Sequence, residues 1–277
     1  MKIFAFADEA DNRLDGQIAA MRRNGLNGIE IRSVDGENVS DISKKKAAEI
    51  REKLEDAGLI TWSIGSPIGK IDIEKDDFDA HLDKLKHTVE IAHILDAGNI
   101  RMFSFYIPKG KNPADYRQEV IDRLGTMLEV TKGTGIDLSH ENEKGIYGDI
   151  ASRCLELHQT LPELKGVFDP ANFIQCNQDT WEGWQLLYPY IKYMHIKDAL
   201  ADSSVVPAGE GIGNLKKILA DFCSRGGNAV SIEPHLKVFE GLKGLGREEE
   251  ASIVSKFIYS SNDAAFDVAC DALRGLG

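Results

Sequence analysis

The sequence predicts an α/β protein, a single (β/α)₈ barrel over residues 1–277, and three observations predict it. Eight short apolar runs recur along the whole chain, their starts spaced about 32 residues apart, the size of one strand–helix unit. Amphipathic helical segments lie between them. The first run leads into Phe6-Ala7-Asp8-Glu9, without the glycine fingerprint that an open, doubly wound nucleotide-binding sheet carries after its first strand. Eight units in a chain of 277 residues fit a closed barrel as one domain.

The strands are expected at 2–7 (KIFAFA), 28–32 (GIEIR), 59–64 (LITWSI), 99–105 (NIRMFSF), 136–141 (IDLSHE), 166–169 (GVFD), 192–197 (KYMHIK) and 229–233 (AVSIE). Leu14, Ile18 and Met21 mark the first helix, which stops at Gly25. Ile50 and Leu54 mark the second, with Gly58 at its end. Phe78, Leu82, Leu85, Val89 and Leu95 mark the third, which ends at Gly98. Each glycine stands where a helix C-terminus calls for a left-handed residue. Tyr116, Val120, Leu124 and Leu128 mark the fourth helix, and shorter ones follow near 149–161, 179–188, 214–225 and 263–275. The last unit carries an insertion at about 236–262.

Composition narrows the function. Thirty-three Lys+Arg against 45 Asp+Glu leave a net charge of −12, the wrong sign for gripping nucleic-acid phosphates or an anionic membrane surface. No apolar run approaches the ~20 residues of a spanning helix, and the start MKIFAFADEA is too short and too acidic for a signal peptide. A cytoplasmic protein is expected. Its cysteines (Cys154, Cys176, Cys223 and Cys270) lie far apart with no CxxC pair, as for reduced and mostly buried thiols. Asn38-Val39-Ser40 is then a chance glycosylation match.

A barrel places its chemistry where strands end. Strand five ends in His140-Glu141-Asn142-Glu143, strand six in Asp169-Pro170-Ala171-Asn172, strand seven in His195-Ile196-Lys197-Asp198 and strand eight in Glu233-Pro234-His235. Four successive strands thus bring a carboxylate or an imidazole to one half of the mouth. Clustered acids there need a cation or a shared proton. Three carboxylates and one imidazole form an oxygen-rich set that suits one divalent ion, Mn²⁺, Mg²⁺ or Co²⁺, with Zn²⁺ also accommodated.

The segments HENEKGIYGD (140–149), FDPANF (168–173), HIKD (195–198), PAGEGIG (207–213) and SIEPHL (231–236) resemble the sugar phosphate isomerase/epimerase family of the xylose isomerase-like barrel superfamily. FADEA near the start, the IEIR strand, GSPIGK (65–70) and RMFSFY (101–106) extend the resemblance over nearly the whole chain. The resemblance implies a divalent metal held by Glu141, Asp169, His195 and Glu233, with Glu141 and Glu233 doubling as acid and base. Glu143 shares strand parity with Glu141 and is the competing ligand. Related epimerases carry a His or Arg near Asn172 and near Lys197-Asp198; the departure here bears on the substrate and leaves the metal set intact.

The substrate-binding candidates are Arg32, Lys70, Asn172, Lys197, Asp198, Glu210 and His235. Lys70 and Lys197 offer a point charge to a phosphate or carboxylate. The amides of Gly209-Glu210-Gly211-Ile212-Gly213 form a second anion-binding candidate, set against simple loop flexibility. Glu30 and Arg32 share one face of strand two, where they either line the site together or form a structural ion pair; Arg101 on strand four reads the same way. His81, His87 and His93 recur at a spacing of six, not a common helical face, and are read as surface residues. Trp62, Trp181 and Trp184 are packing residues, or for the latter two flank a sugar ring. A metal between two carboxylates suits proton transfer beside a carbonyl on a small carbohydrate-like substrate. The competing readings are a lyase or dehydratase on the same barrel, an endonuclease IV-like phosphodiesterase, for which histidines are few and the charge is wrong, and a sugar-binding protein without turnover.

Overall fold

Eight strands alternate with helices from Lys2 to Leu276: β1 Lys2–Ala5, β2 Gly28–Ile31, β3 Ile60–Gly65, β4 Asn99–Met102, β5 Asp137–Glu141, β6 Lys165–Phe168, β7 Ile191–Ile196 and β8 Ala229–Ile232. Each pairs in parallel with its chain neighbours, and β8 closes on β1 through pairs such as Ile3 with Val230. The molecule is therefore a single (β/α)₈ barrel. The structure, a computed structural model, describes residues 1–239 and 258–277. Most of the insertion expected at 236–262 lies outside the described residues.

The outer helices are α1 Leu14–Arg23, α2 Lys44–Asp56, α3 Phe78–Ile94, α4 Arg117–Thr131, α5 Ala151–Thr160, α6 Pro170–Gln175, α7 Thr180–Leu187, α8 Leu215–Ser224 and α9 Asn262–Leu276. Short polar side chains start several of them: Ser43, Asp77, Asp179 and Ser261 each accept a hydrogen bond from a first-turn amide. Gly25 and Gly58 take φ values of 60° and 72° after α1 and α2, as their positions require. After α3 the left-handed residue is Asp96 (φ 57°) and not Gly98. Asp and Asn tolerate that region better than other side-chain-bearing residues. Among the described residues no helix is long and apolar enough to cross a membrane.

Two strands are shorter than their apolar runs, and the difference shapes the site. β1 stops at Ala5, and Ala7–Glu9 turn into a 3₁₀ helix that carries Asp8 and Glu9 across the mouth. β4 stops at Met102, so Phe103 and Phe105 pack in the loop beyond it. After β2, Ser33–Val34 pair with Glu37–Asn38 around Asp35-Gly36, both at positive φ (53° and 82°), the signature of a tight hairpin turn. The lower barrel is filled by Phe4, Val167, Tyr193 and Ala229, with Trp62 stacked on Phe4 at 5.0 Å. The main apolar core lies between the strands and the helices.

The histidines of α3 are not all at the surface. His93 is exposed and His87 half-buried, but His81 is buried, and its Nε2 accepts the Gly69 amide at 2.7 Å. Gly69 (φ 87°) has no room for a Cβ, which would lie 2.0 Å from the Phe103 carbonyl oxygen. His81 thus ties the loop after β3 to the helix that follows. His158 on α5 is buried with its Nδ1 3.1 Å from the Leu164 carbonyl. Burial pushes both rings down to about 4, so both are neutral in the folded protein. An unfolded chain protonates its histidines below about pH 6.5. These two therefore cost no stability above that pH and withdraw up to about 3 kcal/mol each as the pH falls toward 4. Thermal melting followed from pH 7 to 4.5 is expected to show a falling Tm, and a shallower fall in His81→Asn and His158→Asn.

Candidate metal and active site

At the carboxyl ends of β5 to β8, ligand atoms of Glu141, Asp169, His195 and Glu233 all lie within 4.8 Å of one another, and all four residues are buried. Each is aimed by its own local structure. Asp169 caps α6: its Oδ1 accepts the Asn172 amide at 2.9 Å, while Oδ2 faces the cluster. The Asp-Pro-Ala-Asn sequence accounts for this, since Asp is a good N-cap and Pro is preformed for the first helical turn. Asn142 exchanges two hydrogen bonds of 2.9 Å with the Asp169 backbone and so locks the end of β5 to the end of β6.

His195 on β7 presents Nδ1 to the cluster, 3.0 Å from Glu141 Oε1, 3.8 Å from Asp169 Oδ2 and 3.7 Å from Glu233 Oε2. Glu141, the last residue of β5, also accepts from Asn172 Nδ2 at 3.2 Å and faces Arg101 at 3.1 Å. Glu143 turns away and pairs with Lys70 at 3.0 Å, with the Lys70 ammonium over the Phe103 ring. Of the two glutamates at this strand end, only Glu141 joins the cluster.

Arg32 and Glu30 share one face of β2 but do not pair with each other. Arg32 is fully buried and spent on acids: bidentate on Asp8 at 2.9 and 3.0 Å, and 3.0 Å from both Glu9 and Glu233. Glu30 reaches His195 Nε2 at 3.1 Å. Lys197 is buried between Glu233 at 2.7 Å and Asp169 at 2.9 Å. Burial raises the Glu9 carboxyl to about 8 even though Arg32 opposes it. Burial would raise Glu141 too, but His195 and Arg101 outweigh it and hold this carboxylate at about 2. For Asp169 burial wins over Lys197 and the pKa rises. For Glu233 burial loses to Lys197 and the neighbouring cations, and the pKa falls well below the usual range.

The donor set fits a divalent cation. Asp169 Oδ2 and Glu141 Oε2 are buried without a well-aligned hydrogen bond and meet Lys197 at 2.9 Å and Arg101 at 3.1 Å, which leaves each a lone pair for a divalent ion. With Glu9 raised to about 8 and so largely protonated at neutral pH, the carboxylates Asp8, Glu30, Glu141, Asp169 and Glu233 in and below the mouth face Arg32, Arg101, Lys197 and His195, whose ring, against burial, is pushed toward its charged form by Glu141 and Glu30. Glu9, Glu233 and His235 form a second close group, but Arg32 already bridges its two carboxylates. His235 stands at φ 44°, with its amide donating to Glu9 Oε2 at 2.6 Å.

Two other candidates sit elsewhere. Asp198 points into the glycine loop and accepts the amides of Ala199, Gly209, Gly211 and Gly213 at 2.9–3.1 Å. The loop is an anion-binding nest whose anion is part of the chain, and a Cβ on Gly211 would lie 2.2 Å from Asp198 Oδ1. Asp198 therefore organises a loop instead of facing the cavity, and Glu210 is left exposed at the loop tip. His140 faces the helix layer, 2.9 Å from Ser104, and not the cluster. Trp184 is buried against Phe168 and donates to Asp221, and Trp181 packs under Lys217; both are packing residues. Asp8, Glu9 and Asn142 are parts of the site that the strand-end reading passed over. The acids of FADEA were the available signal.

A family profile described as xylose isomerase-like TIM barrel matches residues 18–253. The chain belongs to the xylose isomerase-like TIM barrel family. Comparison with curated proteins gives no significant sequence match. Among solved structures, the barrel is similar to the IolI protein with a bound zinc atom (16% identity, TM-score 0.75, covering 100% of this chain and 98% of that one). It is similar to D-psicose 3-epimerase with D-tagatose from Clostridium cellulolyticum H10 (13%, TM-score 0.73, 100% and 98%). It is also similar to AsbF, a probable 3-DHS dehydratase from Bacillus anthracis (19%, TM-score 0.73, 99% of both chains). At these identities the likeness is one of fold.

Proposed function

We propose that this chain is a divalent-metal-dependent isomerase or epimerase acting on a small carbohydrate-like ketone. The observation that supports it is the convergence of ligand atoms of Glu141, Asp169, His195 and Glu233 on one buried point. These four residues would hold the ion. When bound, such an ion polarises a carbonyl and its neighbouring hydroxyl and so acidifies the carbon-bound proton between them. Glu233 would take that proton and leave an enediolate, and Glu141, first taking up the proton of a substrate hydroxyl, would return one to carbon from the other side, or the two would act in reverse. Return to the adjacent carbon interconverts aldose and ketose; return to the opposite face of the same carbon gives the epimer. Asn172 Oδ1, buried and without a hydrogen-bond donor among the described residues, would accept a substrate hydroxyl.

The substrate is uncharged in this reading. Arg32, Arg101, Lys197 and Lys70 each already rest on a carboxylate, so among the described residues these four cations of the mouth are engaged before a phosphate or carboxylate group enters. A free ketose is expected to exceed its phosphate ester in kcat/KM by about 10-fold or more, the equivalent of ~1.4 kcal/mol. The test is a panel of ketoses and ketose phosphates with added Mn²⁺ in deuterated water, read by NMR for carbon-bound exchange, beside metal titration of wild type and His195→Ala. Deuterium entering a neutral ketose, with metal affinity lost in the variant, is the expected result. Loss of water from the substrate without exchange replaces this reading with the dehydratase one. Unchanged metal affinity in His195→Ala removes the ligand assignment.

A further inference from the structure

A histidine has two ring nitrogens, and the hydrogen bond made by one decides what the other can do. His195 turns Nδ1 toward Glu141, Asp169 and Glu233, while Nε2 points down into the barrel at Glu30 Oε2, 3.1 Å away. Both residues are fully buried. The other Glu30 oxygen, Oε1, is taken by two hydroxyls, Tyr193 at 2.6 Å and Ser63 at 3.3 Å. Ser63 in turn accepts from Asn99 Nδ2 at 2.9 Å, and Asn99 Oδ1 accepts from Ser139 at 2.6 Å and from Lys192 at 3.1 Å. This polar chain runs through a barrel interior that such folds ordinarily fill with branched apolar side chains. It fixes the Glu30 carboxylate in rotation, because Oε1 cannot leave its two donors without stranding them. Oε2 is then an acceptor aimed at His195.

We propose that Glu30 is a positioning residue that holds a proton on His195 Nε2, so that Nδ1, the nitrogen facing the acidic cluster, is the one that gives up its proton to a metal. The proposal rests on the metal-ligand reading of His195. It implies a specific failure for Glu30→Gln. Tyr193 and Ser63 need the amide oxygen, so the amide NH₂ faces His195 Nε2 and demands a lone pair there. The ring proton is then driven to Nδ1, the nitrogen a metal requires bare.

The test uses zinc, which is diamagnetic, on the full chain. Zinc affinity is measured by competition with a chromophoric chelator, and the His195 ring by long-range ¹H–¹⁵N NMR, assigned with His195→Gln. Wild type is expected to show protonated Nε2 and zinc-bound Nδ1. Glu30→Gln is expected to bind zinc 10–100-fold more weakly, the usual loss when a ligand histidine loses its outer partner, with its melting temperature in chelator close to wild type. Glu30→Asp, which keeps two acceptor oxygens, is expected to bind zinc more tightly than Glu30→Gln, and this holds the test open if the glutamine variant folds poorly. Zinc affinity within 2-fold of wild type in Glu30→Gln, zinc on Nε2 in wild type, or an aspartate variant no better than glutamine overturns the proposal. If wild type takes up no zinc, the metal reading is what has failed. The same spectra of the metal-free protein then decide Glu30: an Nε2–H signal identical in wild type and Glu30→Gln overturns it.

Discussion

On the proposed mechanism Glu233→Gln is expected to lower kcat by about 100-fold or more, with a smaller loss of metal affinity, as for removal of a general base that is also one of four ligands. Glutamine keeps the shape of the side chain and one acceptor oxygen, so it retains part of the contact with Arg32 or Lys197, 3.0 and 2.7 Å away in the parent. It does not accept a proton from carbon. Isotope exchange separates the two glutamates: a variant lacking one of them is expected to wash deuterium into one substrate epimer while failing to form product. Glu141→Gln is expected to show the complementary pattern. A Glu233→Gln protein that keeps its metal and turns over at the wild-type rate would remove the two-glutamate mechanism and move the dehydratase and binding readings ahead.

Arg32→Met is expected to cost about 3–5 kcal/mol of folding stability, the usual penalty for leaving a buried charge without its partner. Arg32 is 2% exposed and contacts Asp8, Glu9 and Glu233 at 2.9–3.0 Å, so its removal strands Asp8 and takes a partner from Glu9 and Glu233, which keep the His235 amide and Lys197. Lysine is not expected to restore the loss, because a point charge lacks the planar fork that grips Asp8 through two bonds while reaching Glu9 and Glu233. Urea unfolding gives the value directly, and a cost below about 1 kcal/mol would mean that Asp8 and Glu9 are relieved in another way, by taking up protons or water. This residue was a substrate-binding candidate in the sequence. In the fold it is the clamp between β2, the 3₁₀ turn after β1 and the end of β8.

The barrel and the four-residue cluster were legible because both depend on strand position, which alternating apolar runs report. Once β5 to β8 are placed, a residue at each strand end must face the same mouth, whatever the helices do. The choice of Glu141 over Glu143 was not settled by parity, since both share a face. In the fold Lys70, which comes from the loop after β3, far away in sequence, pairs with Glu143, and Glu141 is the one that joins the cluster. Asp198 shows the same limit from the other side. Its HIKD motif marks it as a polar residue at a mouth, but only the folded glycine loop, with four amides turned inward, shows that its charge is already satisfied.

What the sequence determined by itself was the architecture, the net acidic charge and the four strand-end side chains of the cluster, because these follow from periodicity and composition. What only the tertiary structure decided was who pairs with whom inside that mouth. Pairing among buried charges is set by distances of 2.7–3.1 Å between residues up to 201 positions apart. At that range a side-chain turn of one ångström decides which carboxylate a guanidinium or ammonium satisfies, and nothing in local spacing carries that information. The polar thread from Lys192 through Asn99, Ser63 and Glu30 to His195 is the clearest case. Each member alone reads as an isolated polar residue in an apolar strand, and closing the sheet into a barrel is what brings them into line.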